Sequence, residues 1–258
     1  MAQLLLRGTP LAKVDVVLFD KDGTLSCSEP MLQVLADARI QGCLERMHER
    51  HPELAPGLDS LPLLLQRAYG VGGGAVHPAG TTAVGSRLHN LISTATVLAQ
   101  HDLGWPEALA IAEDVFAATD HLHGQPGVEV VGTEAMGSML QRLATAGLKL
   151  AVISNDSEAG IRRFLARQGL THLFDPEVWS ADHHPCKPNP DAVHGLCRRL
   201  GTRPECCALI GDANSDLHMA RQAGAAVAIG YRAGWSRVPR LDPSYPQLDH
   251  WNDLEVRA

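Results

Sequence analysis

Val14 to Leu25 reads VDVVLFDKDGTL. The first six residues are almost continuously apolar, and the run stops at Asp20. A short apolar run closed by Asp or Gly suits a strand covered on both faces, as in a parallel sheet. Three later runs repeat the pattern. LKLAVI, Leu148 to Ile153, ends in Ser154; CALI, Cys207 to Ile210, ends in Gly211 and Asp212; AAVAI, Ala225 to Ile229, ends in Gly230. Helical spacing fills the intervals. Met136, Met139, Leu140 and Leu143 recur at i, i+3, i+4 and i+7. Ile161, Phe164, Leu165 and Gln168 begin the same pattern after the second strand, and Leu217, Ala220 and Ala223 follow the third. Alternating strand and helix predicts an α/β fold built on a Rossmann-like, doubly wound parallel sheet.

The stretch from Ser26 to Pro126 reads differently. It shows no convincing strand, and residues 31–50 read as helix. Val84, Leu88, Leu91, Ile92, Ala95, Leu98 and Ala99 form one helical stripe. Ala108, Ile111, Ala112, Val115, Phe116 and Thr119 form another, with Pro106 in its first turn. The spacing predicts an all-helical domain, 26–126, inserted into a core of 1–25 and 127–258. Gly72-Gly73-Gly74 reads as a flexible loop between its helices. Arg87 and Asn90 fall at i, i+3 on the expected polar face and are candidate contacts for a substrate carboxylate or hydroxyl. Thr81 and Thr82 are weaker candidates in the preceding loop.

Of 258 residues, 45% are hydrophobic and 20% charged, the profile of a globular chain with a sizeable core. The formal charge is −7. The insertion holds eleven acidic and five basic side chains, so most of that excess lies there. An acidic balance argues against nucleic-acid and anionic-membrane partners, which need a basic face. It leaves room for a small phosphorylated metabolite, because one local cationic site is enough for that. No apolar run reaches the ~20 residues of a membrane span, and MAQLLLRGTPLAK is too short in its apolar part for a signal peptide. The expectation is a cytoplasmic protein whose six cysteines, with no CxxC pair, are free thiols.

In a doubly wound sheet, ligands bind at the carboxyl ends of the strands. Those ends carry Asp20 to Thr24, Ser154-Asn155-Asp156 and Gly211 to Asp216, with Lys187-Pro188 between the last two. Asp20 can attack phosphorus, and a covalent carboxylate intermediate splits one hard displacement into two. Asp22 can protonate the leaving oxygen and later activate water. Carboxylates beside a phosphate dianion need a hard cation, and Mg2+ suits carboxylates, carbonyls, waters and a phosphate oxygen. Asp212 is the third candidate ligand; Asp22 would contribute its backbone carbonyl. Ser154, Asn155 and nearby N–H groups can hold phosphoryl oxygens, and Lys187 can offset charge on the nucleophile and the transferring group.

FDKDGTL (Phe19 to Leu25), VISND (Val152 to Asp156), CKPNP (Cys186 to Pro190) and GDANSD (Gly211 to Asp216) resemble the four ordered motifs of the haloacid dehalogenase superfamily. The resemblance implies that fold and a phosphatase activity. It implies Asp20 as nucleophile, Asp22 as acid/base, Ser154 and Lys187 as phosphate contacts and Asp212 as metal ligand. It adds Asp216, as a residue that coordinates through water or orients Lys187. The insertion after the first motif resembles the helical cap of the phosphoglycolate phosphatase-like branch, which makes 2-phosphoglycolate a candidate substrate. Lys21 departs from the pattern, since many relatives carry an apolar residue there; its side chain is expected to be solvated.

Each residue also has a plainer reading. An Asp at a strand end is commonly a turn or N-cap residue, and Ser154 to Asp156 could only cap the next helix. His183-His184 invites a metal reading, which hard oxygen ligands at the strand ends disfavour. Two other functions share these motifs: a phosphomutase of the β-phosphoglucomutase kind, and a non-catalytic binding protein on the same fold. A phosphonatase is disfavoured because residues 26–126 contain no lysine for a Schiff base.

Overall fold

The computed structural model describes residues 1–122 and 130–257. In chain order its strands are β1 (Ala2–Leu6), β2 (Thr9–Val14), β3 (Val16–Phe19), β4 (Ser26–Cys27), β5 (Val71–Gly72), β6 (Ala75–Val76), β7 (Val131–Gly132), β8 (Lys149–Ile153), β9 (Val178–Trp179), β10 (Cys207–Gly211), β11 (Val227–Tyr231), β12 (Gln247–Leu248) and β13 (Leu254–Arg257). The helices are α1 (Glu29–Arg50), α2 (Leu61–Tyr69), α3 (Thr81–Val84), α4 (Arg87–Ala99), α5 (Trp105–Thr119), α6 (Met136–Thr145), α7 (Glu158–Arg167), α8 (Pro190–Leu200) and α9 (Asn214–Gln222). The chain divides into two compact units, Met1–Ser28 with Val130–Ala258, and Glu29–Glu129. The return to the core expected between 126 and 127 lies outside the described residues.

The first unit is built on a parallel six-stranded sheet in the order β12-β11-β10-β3-β8-β9. β3 is central, and its register sets Phe19 against Ile210 on one side and Val152 on the other. Successive side chains leave opposite faces of a strand, so the four residues of β3 feed two cores. Val17 and Phe19 pack with Met139, Leu140, Leu143, Ile161 and Phe164 of α6 and α7. Val16 and Leu18 pack with Val193, Leu196, Leu217 and Ala220 of α8 and α9. That two-sided burial is why the run is apolar throughout; it stops at Asp20, a buried carboxylate just past the end of the strand. Burying a Phe or Leu side chain fully contributes about 1.5–3 kcal/mol, so the sheet centre is the most firmly held place on which to mount a site.

Elements absent from the sequence reading surround this sheet. β1 and β2 form a hairpin about Arg7 and Gly8, both at positive φ (48° and 79°), and β13 completes a three-stranded antiparallel sheet. The expected continuous strand from Val14 is interrupted at Asp15, where β2 ends and β3 begins. The short strands β9 and β12 form the two edges of the parallel sheet.

The second unit is mainly helical, as its periodicity predicts. Helix α5 buries Ala108, Ile111, Ala112, Val115, Phe116 and Thr119, the six residues of the expected stripe. Two expectations are corrected. Gly72 to Gly74 is a tight β5–β6 hairpin, with Gly73 and Gly74 at φ 62° and 78°, because consecutive left-handed residues match strand twist. Helix α4 is rotated from the expected stripe: Leu88 and Ile92 are exposed, whereas Asn90 and Thr94 are buried with Leu91, Ala95 and Leu98. Among the described residues no helix is long and apolar enough to cross a membrane. All six cysteines are free.

Candidate active site

Parallel register brings three strand ends to one edge. The Asp20 amide donates to the Ile210 carbonyl at 2.9 Å, so the residue after β3 stays tied to the end of β10. Ser154 follows β8, its amide donating to the Trp179 carbonyl at 2.8 Å. Asp212 follows β10, and Asp216 lies in the first turn of α9. Gly211 is required for that arrangement, since a Cβ there would come within 2.6 Å of the Asp216 Cβ.

Asp20, Asp212 and Asp216 are all buried, with carboxylate oxygens within 4.8 Å of one another. Lys187 joins them, its ammonium 2.6 Å from Asp20 Oδ1 and 2.6 Å from Asp216 Oδ1. The contact with Asp216 is an ion pair rather than an aligned hydrogen bond. Lys187 also donates to the Ile153 carbonyl at 3.4 Å, which anchors the lysine on β8.

The electrostatics follow from burial. Loss of solvent raises Asp20, pushing its carboxyl up to about 6 despite the opposing pull of Lys187, with Asp216 adding to the rise. Burial and the neighbouring charges of Asp20 and Asp216 hold Asp212 well above the usual carboxylate range. Burial would lower the Lys187 ammonium, but Asp20 and Asp216 outweigh it and hold the group above its ordinary value. With every group ionised, three carboxylates and one ammonium leave two negative charges. Three crowded oxygen donors carrying two surplus negative charges fit a hard divalent cation such as Mg2+.

Asp212 is further held by two residues the sequence reading missed. The Trp235 indole N–H donates to its Oδ2 at 2.5 Å, and the Thr24 hydroxyl donates to its Oδ1 at 3.3 Å. Gly23 makes room for this. It has φ 78°, and a Cβ on it would lie 2.1 Å from the Trp235 indole nitrogen. The Asp-Gly-Thr turn therefore has a packing reason beside its conformational one.

Asp22 does not join the three-carboxylate group through its side chain. Its Oδ1 accepts from Lys21 Nζ at 2.5 Å and from the Ser28 hydroxyl, with the Ser26 hydroxyl 3.3 Å away. Here the expectation for Lys21 is overturned. Lys21 is only 3% exposed, pairing with Asp22 and, at 3.1 Å, with Asp156 Oδ2. Burial opposes its charge, but those two carboxylates prevail and raise the ammonium above its ordinary value. Lysine's polar head made solvent the default, and the two carboxylates that receive it are set by the fold.

Of the remaining candidates, Ser154 is buried and its Oγ accepts from the Asp156 amide at 3.1 Å, while Asn155 lies beside it in the bend before α7. Arg87, in the helical unit, pairs with Asp120 at 2.6 Å and lies over the Phe116 ring. Asn90 was expected on the polar face and is instead buried. Its amide donates to the carbonyls of Thr81 (2.8 Å) and Ser86 (3.1 Å), satisfying the turn that leads into α4. The Thr81 hydroxyl donates to the Ala68 carbonyl at 2.6 Å. His183 stacks on Trp179 and shares its Nδ1 with Ser180, a structural role.

A buried acidic cluster with one lysine, at the carboxyl edge of a parallel sheet, defines a hydrolase-type site on a Rossmann-like core. A profile of haloacid dehalogenase-like hydrolases matches residues 14–224, and the chain belongs to that family. A phosphoglycolate phosphatase of Vibrio vulnificus (strain YJ016) is 27% identical over 92% of this chain and 91% of its own. One from Haemophilus influenzae (strain 86-028NP) is 31% identical, but over only 42% of this chain and 47% of its own. Among solved structures, a predicted phosphoglycolate phosphatase from Haemophilus somnus 129pt superposes with a TM-score of 0.63 at 18% identity. It covers 93% of this chain and 96% of that one, a likeness of fold alone.

Proposed function

We propose that this chain is a Mg2+-dependent phosphatase that hydrolyses a small phosphomonoester through an aspartyl-phosphate on Asp20. The reading rests chiefly on the Asp20 carboxylate, buried at the end of the central strand against Lys187 and beside Asp212 and Asp216. Asp20, Asp212 and Asp216 would hold the cation, with the Asp22 backbone carbonyl. When bound, Mg2+ supplies positive charge that offsets the carboxylates and the phosphoryl oxygens.

The chain's own groups do the rest. An Asp20 oxygen forms a bond to phosphorus as the bond to the ester oxygen breaks, and Asp22 delivers a proton to that departing oxygen. Water then attacks the aspartyl-phosphate, Asp22 takes up its proton, and phosphate leaves with Asp20 regenerated. Lys187 lowers the repulsion between Asp20 and the incoming dianion, and Ser154 with Asn155 holds phosphoryl oxygens. The phosphoglycolate phosphatases among the relatives make 2-phosphoglycolate the first ester to test.

The test is a screen of phosphate esters with Mg2+, followed by acid quench of a 32P-labelled turnover. The expected result is Mg2+-dependent release of phosphate, abolished by EDTA, with label trapped on Asp20. Asp20→Asn should lower kcat by at least about 10^3-fold while the protein stays folded. Near-normal turnover in that variant would remove Asp20 from the mechanism.

A further inference from the structure

We propose that Lys21 is a positioning residue for the acid/base step: anchored on Asp156, its ammonium orients the Asp22 carboxylate toward the leaving group. The proposal rests on the phosphatase reading above.

Lys21 lies one residue from Asp20, yet its side chain joins neither the Asp20 cluster nor solvent. It bridges two carboxylates from separate strand ends, Asp22 after β3 at 2.5 Å and Asp156 after β8 at 3.1 Å. The Phe164 ring, 5.9 Å away, closes the apolar side of the bridge. Asp156 is itself fixed, its Oδ1 accepting from the Ser157 amide at 2.7 Å. The ammonium is thus held from behind by an anchored carboxylate and donates forward to Asp22.

The forward contact is specific to one oxygen. Lys21 and the Ser28 hydroxyl donate to Asp22 Oδ1, while the Ser26 hydroxyl, with one proton to give, lies 2.6 Å from Ser28 Oγ and 3.0 Å from the Lys21 carbonyl. Donors converging on Oδ1 fix the plane of the carboxylate. A buried ion pair contributes little net stability, because desolvation offsets most of the attraction. Direction is what it supplies, and general acid catalysis depends on direction, since the donor must reach the departing oxygen within hydrogen-bond distance.

The readout is leaving-group dependence. A poor alkoxide leaving group needs the proton from Asp22, whereas p-nitrophenolate departs with little help. Lys21→Met should lower kcat/KM for a primary-alkyl phosphate such as 2-phosphoglycolate by about 10- to 100-fold, and for p-nitrophenyl phosphate by about 3-fold or less. Lys21→Met/Asp156→Asn should match the single variant, because the two residues act as one unit. If Lys21→Met does not fold, Asp156→Asn keeps the ammonium and loosens only its anchor, and should show a smaller loss with the same ester selectivity. Equal losses on both esters, or no loss on either, overturn the proposal. A wild-type protein that releases phosphate from no ester of the screen overturns the phosphatase reading and this proposal with it, whereas a wild type active on an alkyl ester and on p-nitrophenyl phosphate, with no selective loss in the variants, overturns this proposal alone.

Discussion

Asp212 takes hydrogen bonds from the Trp235 indole and the Thr24 hydroxyl, so both of its oxygens are oriented before any cation arrives. Outer groups of this kind commonly matter 10- to 100-fold in metal affinity. Trp235→Phe, which keeps the ring and removes the N–H, should raise the Mg2+ concentration for half-maximal turnover by about 10-fold. Its kcat at saturating Mg2+ should change far less. Asp20 carries a second prediction. Its carboxyl is pushed up by burial to about 6, so the folded metal-free protein holds this proton more tightly than the unfolded chain. That contribution to stability is complete below the ordinary carboxylate value and is lost as pH rises through about 6. The metal-free protein should therefore show a falling contribution to Tm from this site between pH 4 and 7, about the range of the shift. Mg2+ should raise Tm more at pH 7 than at pH 5. A Mg2+ effect on Tm that shrinks toward pH 7 would contradict this. Of the two lysines, the place of Lys187 beside Asp20 was expected from a motif, whereas the burial of Lys21 was not. The carboxylate that anchors Lys21 lies on another strand end, and no local spacing announces it.

Helices α4 and α5 show what periodicity can and cannot read. The α5 stripe packs against α4 and α1, and the pattern and the burial agree residue for residue. In α4 a backbone requirement intervenes. The turn from Thr81 to Ser86 turns its carbonyls inward, and Asn90 is buried to satisfy them while Leu88 and Ile92 are left exposed. The start of α4 is fixed by a reciprocal cap. The Ser86 hydroxyl accepts from the His89 amide, and the His89 ring accepts from the Ser86 amide, each at 3.2 Å. Ser86→Ala should lower stability by about 1 kcal/mol, measured by urea denaturation, with a loss below a few tenths of that value counting against the cap. The α4 start carried a Ser-to-His spacing that differs from the usual Ser-to-Glu signal, which is why it was not read.

Across the whole chain, residues near the carboxyl terminus complete the core under the strand that carries Asp20. Trp251 is fully buried, stacks on Tyr231 with ring centroids 4.2 Å apart, and meets Phe19 edge-on at 6.2 Å. Its indole donates to the Thr133 hydroxyl at 2.8 Å, and that hydroxyl donates to the Thr24 carbonyl at 2.9 Å. Trp251→Ala should destabilise the protein by about 3–5 kcal/mol, seen as a lower urea midpoint. The sequence by itself determined the alternating α/β pattern, a helical stretch after the strand that ends at Asp20, and Asp20, Asp22, Ser154, Asp212 and Asp216 as residues of strand ends or the segments just after them, with Lys187 between two of those ends. Those are short-range properties: a run of apolar residues ends where its strand leaves the core, whatever the rest of the chain does. Tertiary structure alone decided that Lys21 is buried between Asp22 and Asp156, that Trp235 holds Asp212, and that the two ends of the chain pair in one sheet. Such contacts join residues far apart in sequence, and their energies exist only once folding has brought the partners together and removed the water between them.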